Sequence, residues 1–159
     1  MKTVIGIDPG KQGALAAMRE DGTLTFIPMP VAGKDIDAGH VAAWIISLWT
    51  DKECKPLSVC IEKVHAMPGN GATSMFTFGY NVGLMHGVVA ALNIPLLLVS
   101  PQAWKKEVLV DTLKDKNAAI DFVRRYYPKA DITLTPRSKK AHSGIADAIC
   151  IARFGLSKQ

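Results

Sequence analysis

Three acidic residues stand in apolar surroundings, where an ionised side chain is costly. Asp8 directly follows a β-branched apolar run, Glu62 lies inside the apolar segment 57–64, and Asp147 interrupts the small apolar residues 144–152. A buried carboxylate must be paired, bound to a metal or neutralised. If the three converge, their repulsion calls for hard divalent cations, and a pair of such ions suits phosphodiester cleavage. Asp8 alone would suit a turn-capping residue, but the three together predict metal-dependent chemistry on nucleic acid.

The elements that must bring these acids together alternate between strand and helix patterns. An opening strand precedes a hairpin centred on Asp21 and Gly22, and the alternation within 57–64 places Glu62 opposite its apolar neighbours. Helical periodicity marks residues 41–49, 78–92, 116–127 and 144–154, and a further strand is expected at 94–99. This order predicts an α/β fold with a mixed five-stranded sheet flanked by helices. The acids converge if the first and fourth strands are neighbours and the last helix crosses their ends.

Length and composition exclude several classes of protein. A chain of 159 residues with three cysteines in no CxxC pair predicts one domain over 1–159, without a disulfide framework or a zinc knuckle. The N-terminus lacks the features of a targeting peptide, so we expect a cytoplasmic protein. The longest apolar stretch, 82–99, is interrupted by His86, Asn93 and Pro95, which argues against a membrane partner.

Basic residues are concentrated in the last third of the chain. Residues 1–100 contain seven Lys or Arg and eight Asp or Glu, whereas residues 101–159 contain twelve and six. Such a basic surface either binds a polyanion by releasing its counterions or merely aids solubility.

Three segments that carry the acids together resemble a known family. GIDPG at the first strand, IEKV at the fourth and GIADAICIA in the last helix are similar, in order and spacing, to the motifs of RuvC-like Holliday junction resolvases of the RNase H-like superfamily. The short chain and its GIADA motif, with a histidine nearby, are more similar to viral and phage members. The resemblance implies an RNase H-like fold and a homodimeric endonuclease that nicks four-way DNA junctions symmetrically. It also implies two Mg²⁺ ions, replaceable by Mn²⁺, with Asp8, Glu62 and Asp147 as metal ligands.

The chain departs from the family at the fourth ligand. Family members place an acidic residue or a histidine about one helical turn before the last aspartate, where this chain has Ser143 and Gly144. His142 is the candidate, as a fourth ligand or a proton carrier, provided that the helix begins after it. The alternative is a surface histidine that contacts phosphate from the neighbouring basic loop.

The resemblance also implies where DNA contacts lie. Lys105, next to Lys106, matches a basic residue near the scissile phosphate, and Lys116 matches one before the next helix, although the intervening glycines of the family are missing. Solvated lysines at a helix start are the alternative. His65 occupies a position that stacks on a base at the junction centre, or else belongs to a simple turn. Further phosphate contacts are expected from the basic loop, through Arg137, Lys139 and Lys140.

Proteins with other functions share some of these sequence features. A nuclease that acts on RNA or on branched DNA generally would share the scaffold, and a non-catalytic junction-binding module would be expected to lack at least one acid. An actin-like or kinase ATP-binding fold needs a much longer chain, and no Walker sequence occurs here. Gly79, Gly83 and Gly87 recur every four residues, and we expect this ridge to pack on the sheet, with a dimer contact as the alternative.

Overall fold

The structure, a computed structural model, describes residues 1–50, 57–63, 69, 71–112, 115–135 and 137–159. Its strands and helices follow the predicted alternation. In chain order they are β1 (Thr3–Asp8), β2 (Ala14–Arg19), β3 (Leu24–Pro28), β4 (Val31–Ala32), β5 (Asp35–Ile36), α1 (Ala38–Thr50), β6 (Leu57–Glu62), α2 (Ala72–Ala91), β7 (Leu96–Val99), α3 (Pro101–Val108), α4 (Ala118–Tyr126) and α5 (Ser143–Ser157).

Five of the strands form one mixed sheet in the order β3-β2-β1-β6-β7. The first three strands are antiparallel neighbours, whereas β6 runs parallel to β1, and β7 runs parallel to β6. This confirms the predicted mixed five-stranded sheet and the pairing of the first and fourth predicted strands. Between β3 and α1, the short strands β4 and β5 pair with each other and turn at Gly33, which has a φ of 61°.

Helices cover both faces of the sheet, and side chains alternate between the two layers along each central strand. Ile5 and Ile7 of β1 join a buried cluster with α1 and α2. Val4 faces the other way and joins α3, α4 and α5. Asp8 lies four residues after Val4 and therefore on the same face of β1, so it points toward the layer that contains α5.

The last helix lies unusually close to β1, because a glycine removes the side chain between them. A Cβ atom built on Gly6 would lie 2.2 Å from the carbonyl oxygen of Ala148 and 2.3 Å from the amide nitrogen of Ala152. No side chain fits in that space. This contact fixes the height of α5 over the sheet and, with it, the position of Asp147 relative to the end of β1.

Helix α3 is an element that the sequence interpretation did not anticipate. Ser100 caps it by accepting a hydrogen bond of 3.2 Å from the amide of Ala103, and Pro101 begins the first turn. Both are ordinary helix-start signals. The helix is only eight residues long and mostly polar, so it shows little apolar periodicity, and Trp104 is its buried residue.

Helix α2 is less buried than its periodicity predicts. Met85 and Val89 are buried as expected, but Phe78 is 37% exposed. The expectation that the glycine ridge packs on the sheet is wrong: within the described part of the chain, no atom lies within 4 Å of a Cβ built on Gly79, Gly83 or Gly87. The ridge faces away from the core. None of the helices in the described ranges combines the length and apolarity needed to cross a membrane.

Candidate active site

Asp8 and Glu62 lie side by side at the ends of two parallel strands. The register pairs Gly6 with Cys60 and Ile7 with Ile61, so the next position places Asp8 beside Glu62. Cys60 belongs to the core layer that contains α5, and Glu62, two residues later, faces the same layer. Both acids therefore project from the same edge and the same face of the sheet.

Asp147 approaches this pair from the second turn of α5. It is half-buried among residues that are fully buried on either side. Its neighbour Ala148 is the residue whose carbonyl lies against Gly6. The close packing of α5 on β1 therefore brings Asp147 to the end of the strand where Asp8 lies.

The three carboxylates are close enough for their charges to interact. Burial raises the pKa of Asp8 to about 7, with further contributions from the negative charges of Asp147 and Glu62. Burial also raises the pKa of Asp147 to about 6, and Glu62 adds to the rise. Lys105 lowers both pKa values. Among the described residues, Lys105 is the cation that lowers both pKa values, and it does not offset the effects that raise them.

Glu62 is held by a residue whose role the sequence interpretation missed. The buried indole of Trp104 donates a 2.6 Å hydrogen bond from Nε1 to Oε2 of Glu62. A buried indole N–H needs an acceptor, so a tryptophan beside an expected phosphate-contacting lysine was a usable signal. The Nζ atom of Lys105 lies 5.3 Å from the centre of the same indole ring.

The predicted lysines gather around one cleft next to the acids. A cavity of about 590 Å³ is lined by residues of α3, by the segment that leads into α4, and by Asp147. Lys105, Lys106 and Lys116 are all among its lining residues. The missing family glycines between them do not prevent Lys116 from reaching the same cleft as Lys105.

The structure assigns His142 a definite place. It is the N-cap of α5, and its Nδ1 accepts a 3.1 Å hydrogen bond from the amide of Ile145. The helix therefore begins after His142, as the candidate role required. Burial lowers the pKa of this histidine, which favours the neutral ring. With Nδ1 as an acceptor, the proton of the neutral ring is on Nε2, so the ring presents a donor there rather than a lone pair.

Gly144, one of the two residues at the family's fourth-ligand position, cannot carry a side chain in this protein. A Cβ atom built on Gly144 would lie 2.2 Å from the carbonyl oxygen of Gln12 and 2.7 Å from the Cα of Gly13. The turn after β1 therefore occupies the space that an acidic side chain would need. This close contact explains the departure from the family pattern noted in the sequence.

Three of the remaining predicted contacts lie in the loop before α5. The loop before α5 is tied back by a hydrogen bond of 2.7 Å from the amide of His142 to the carbonyl of Ile132. It exposes three basic side chains to solvent: Arg137, Lys139 and Lys140. His65 lies outside the described residues.

The donor chemistry of the site fits a hard divalent cation. Carboxylate oxygens are the ligands that Mg²⁺ and Mn²⁺ prefer, and a bound cation would favour the ionised form of Asp8, which burial and the neighbouring acids disfavour. Over the described ranges, no three His, Cys, Asp or Glu side chains form a ready-made ligand set. Carboxylates that face one another repel, so the side chains must close in on an ion for it to be held.

Comparisons with known proteins identify the fold. No family model matches the sequence, and no curated protein matches it either. Among solved structures, RuvC of Thermus thermophilus in complex with a Holliday junction substrate aligns over 96% of this chain and 90% of that chain, with a TM-score of 0.60 and 16% identity. The chain has the RuvC fold. A second Thermus thermophilus RuvC structure covers 96% of both chains, with a TM-score of 0.53 and 18% identity. The RNase H-like sheet of RuvC is thus the scaffold expected from the sequence.

Proposed function

We propose that this protein is a metal-dependent endonuclease that resolves four-way DNA junctions by symmetric phosphodiester cleavage. One observation carries the proposal: the sheet and α5 bring Asp8, Glu62 and Asp147 together beside a cleft lined by three lysines. The RuvC fold supports the same conclusion, since one RuvC structure with this fold is a complex with a Holliday junction substrate.

The acids are the proposed metal ligands. Two Mg²⁺ ions, which Mn²⁺ can replace, would supply an activated water and neutralise the leaving oxygen. Asp8 and Glu62 contribute from the rigid sheet, and Asp147 contributes from a helix packed directly on it. Trp104 holds the Glu62 carboxylate in one orientation through its hydrogen bond. A site built on strands and helices in this way is held more rigidly than one built on loops.

The basic residues are the proposed DNA contacts. Lys105 lies close enough to Asp8 and Asp147 to lower the pKa of both, so a phosphate bound at the acids would also meet its ammonium group. Lys106 and Lys116 extend this positive surface along the cleft. Arg137, Lys139 and Lys140 add exposed charge near the start of α5, and His65 remains a candidate for base stacking.

His142 is better suited to contact a phosphate than to bind a metal ion. Its cap hydrogen bond occupies Nδ1, and the Nε2–H of the neutral ring can donate a hydrogen bond to a phosphate oxygen. Metal ligation or proton transfer through this ring would require the capping bond at Nδ1 to break. We therefore propose the phosphate contact, which the sequence offered as the alternative to a metal ligand or a proton carrier.

A homodimer is the proposed assembly, and the exposed face of α2 is its proposed contact. Phe76 is 76% exposed and Tyr80 is 54% exposed. They share a face with Gly79, Gly83 and Gly87, where the backbone is open to close approach. A second copy of this chain related by a two-fold axis would match the two-fold symmetry of a four-way junction.

The test is strand cleavage of a labelled synthetic four-way junction, beside a linear duplex of the same sequence. Wild type, Asp8→Asn and Asp35→Asn are compared with Mg²⁺, with Mn²⁺ and with EDTA. Asp35 is an exposed acid of β5, so it controls for the loss of a carboxylate elsewhere. We expect paired nicks in the junction alone, which require metal and Asp8 but not Asp35.

Two outcomes would redirect the proposal. Cleavage of an RNA–DNA hybrid or of every branched DNA at similar rates would favour a general nuclease on the same scaffold. Tight junction binding without cleavage, with either metal, would favour a non-catalytic binding module. In both cases, analytical ultracentrifugation of wild type and Gly83→Arg separately tests whether α2 forms the dimer.

A further inference from the structure

A second cleft lies on the other side of the turn that follows Asp8. Its volume is about 400 Å³, and it separates this turn, at Gly10, Lys11 and Gln12, from the N-terminal part of α2. Gly10 is part of the active-site turn as well, because its amide donates a hydrogen bond to the Asp8 carboxylate. One wall of the cleft is therefore shared with the acid centre.

The other wall is the beginning of a 20-residue helix that has no side-chain cap. The N-cap residue is Gly71, and within the described ranges no side chain accepts a hydrogen bond from the first turn of α2. There is also no acidic residue in that turn. The first backbone N–H groups and the positive end of the helix dipole are thus available to an anion.

Three polar side chains continue this wall into the cleft. Thr73, Thr77 and Asn81 are spaced four residues apart, so they lie in one row on the helix surface, and all three line the cleft. They extend the run of hydrogen-bond donors that starts at the free amides of the first turn. No carboxylate is among the residues that line this cleft.

The burial of Asn81 distinguishes this helix N-terminus from an ordinary one. The residue is 95% buried, since only 5% of its surface remains exposed. Among the described residues, no hydrogen bond to its side-chain amide is found. Polar residues buried to this extent nearly always have hydrogen-bond partners, so an asparagine that is 95% buried, has no such partner and lines a cleft indicates a ligand there.

We propose that this cleft is a phosphate subsite, which binds a backbone phosphate of the DNA strand next to the phosphate that is cleaved. The α2 amides donate to the phosphate oxygens, as do the side chains of Ser74, Thr77 and Asn81, all of which line the cleft. Lys11 lines the same cleft, and its Nζ donates a 2.5 Å hydrogen bond to the carbonyl of Lys34. The anion chemistry follows from the cleft itself, whereas the assignment to DNA rests on the proposed function.

The first arm of the test needs no DNA and no metal. Inorganic phosphate is titrated into ¹⁵N-labelled wild type in EDTA, and the amide signals of residues 72–74 and the Asn81 side chain are followed. We expect saturable shifts at these signals, and we expect them to be lost in Asn81→Leu, which removes the donor at similar size. Shifts that are absent, or equal in both proteins, would overturn the subsite.

The second arm measures binding of a four-way junction in EDTA. Asn81→Leu should weaken binding about tenfold, as expected for a lost hydrogen bond to a charged group. Ser74→Glu should weaken it at least as much, while leaving thermal stability unchanged or higher, because an acid in the first turn favours the helix dipole. Thr25→Glu, an exposed position on β3, makes the same charge change and should leave binding unchanged.

The two arms separate the subsite from the proposed function. If phosphate shifts the α2 signals but junction and duplex bind alike, the subsite stands and junction selectivity falls. If wild type cleaves junctions while Asn81→Leu and Ser74→Glu bind them normally, the proposed function stands and the subsite falls. Equal weakening by Ser74→Glu and Thr25→Glu would also overturn the subsite, because the effect would then be general repulsion.

Discussion

The indole Nε1–H of Trp104 donates a 2.6 Å hydrogen bond to Oε2 of Glu62, and this bond joins the buried side of α3 to the acid centre. Trp104 is fully buried, so its ring position is set by the core, and the bond transmits that position to the carboxylate. Glu62 thereby differs from Asp8 and Asp147, whose positions depend on β1 and α5.

Trp104→Phe should separate this positioning role from packing. Phenylalanine keeps most of the buried ring but removes the donor, so Glu62 loses its anchor. We expect junction cleavage to slow about tenfold, corresponding to about 1.4 kcal/mol in the barrier, and the Mg²⁺ concentration needed for half-maximal rate to rise. Trp44→Phe, which changes a tryptophan packed against the opposite core, should alter neither quantity. An unchanged Mg²⁺ requirement in Trp104→Phe would contradict the positioning role.

The stability of the metal-free protein should fall as the pH rises. The pKa of Asp8 is about 7 in the folded chain, against an ordinary value of 3.8, so the folded state favours the protonated acid. This contribution is complete below pH 4 and is lost between about pH 4 and pH 7, at a cost on the order of 2–4 kcal/mol. Asp8→Asn should therefore melt higher than wild type at pH 8 in EDTA, and equally below pH 4.

Metal should reverse this effect in wild type alone. Mg²⁺ at pH 8 should raise the melting temperature of wild type, because binding to the folded state stabilises it. It should have little effect on Asp8→Asn. A wild-type melting temperature that is flat between pH 4 and pH 8, and indifferent to Mg²⁺, would show that the acids neither repel one another nor hold a cation.

Two glycine-to-alanine changes should have opposite signs. Gly144→Ala places a Cβ against backbone atoms of Gln12 and Gly13, which cannot move aside. It should lower the free energy of unfolding by more than about 2 kcal/mol. Gly83→Ala meets open space in a helix interior and should raise it, by up to about 1 kcal/mol. Urea unfolding of wild type and both variants measures these free energies. A Gly144→Ala protein as stable as wild type would refute the tight contact between the turn and α5.

The role of His142 can be tested with variants that separate its capping hydrogen bond from its Nε2–H donor. Asparagine is a good N-cap residue, so His142→Asn should keep the stability of α5 while removing the imidazole. His142→Ala should lose about 1 kcal/mol of stability as well. If the Nε2–H of His142 contacts a phosphate in the reaction, both variants cleave about tenfold more slowly. If His142→Asn cleaves at the wild-type rate, the residue serves only as a cap.

The lysines of the cleft should be visible in the salt dependence of junction binding. Lys116→Ala should reduce the slope of log K against log salt by about 1, as expected when one phosphate contact is lost. Lys129→Ala removes an exposed lysine that is not part of the cleft lining and should leave the slope unchanged. Equal slopes in the two variants would place Lys116 outside the DNA-binding surface.

The pairing of Asp8 with Glu62 could be predicted from the sequence because strand geometry is simple. Residues of a strand alternate between the two faces of the sheet, so the apolar pattern around an acid shows which face the acid is on. The carboxyl ends of neighbouring parallel strands lie at the same edge of the sheet. The helical character of the segment around Asp147 was equally clear from its small apolar residues. What the sequence could not give was the distance between β1 and α5, which depends on the contact of Gly6 with Ala148.

The remaining features depend on tertiary contacts that leave little trace in a single sequence. Helix α3 is too short and polar for periodicity to mark it, and the partner of Trp104 is 42 residues away. The spacing of Gly79, Gly83 and Gly87 was visible, but spacing alone does not tell a packed ridge from an open one. Asn81 gave no signal, because an asparagine becomes notable only once its burial and lack of a partner are known.

Cleavage of a supercoiled plasmid that extrudes a cruciform tests the central claim most directly. Wild type with Mg²⁺ should convert the plasmid to a linear product cut at the cruciform base, because two nicks are made symmetrically within one bound junction. Asp8→Asn should leave the plasmid supercoiled, and Asp35→Asn should behave as wild type. Nicked circles without linear product, or cuts unrelated to the cruciform, would contradict the account that this protein is a junction resolvase.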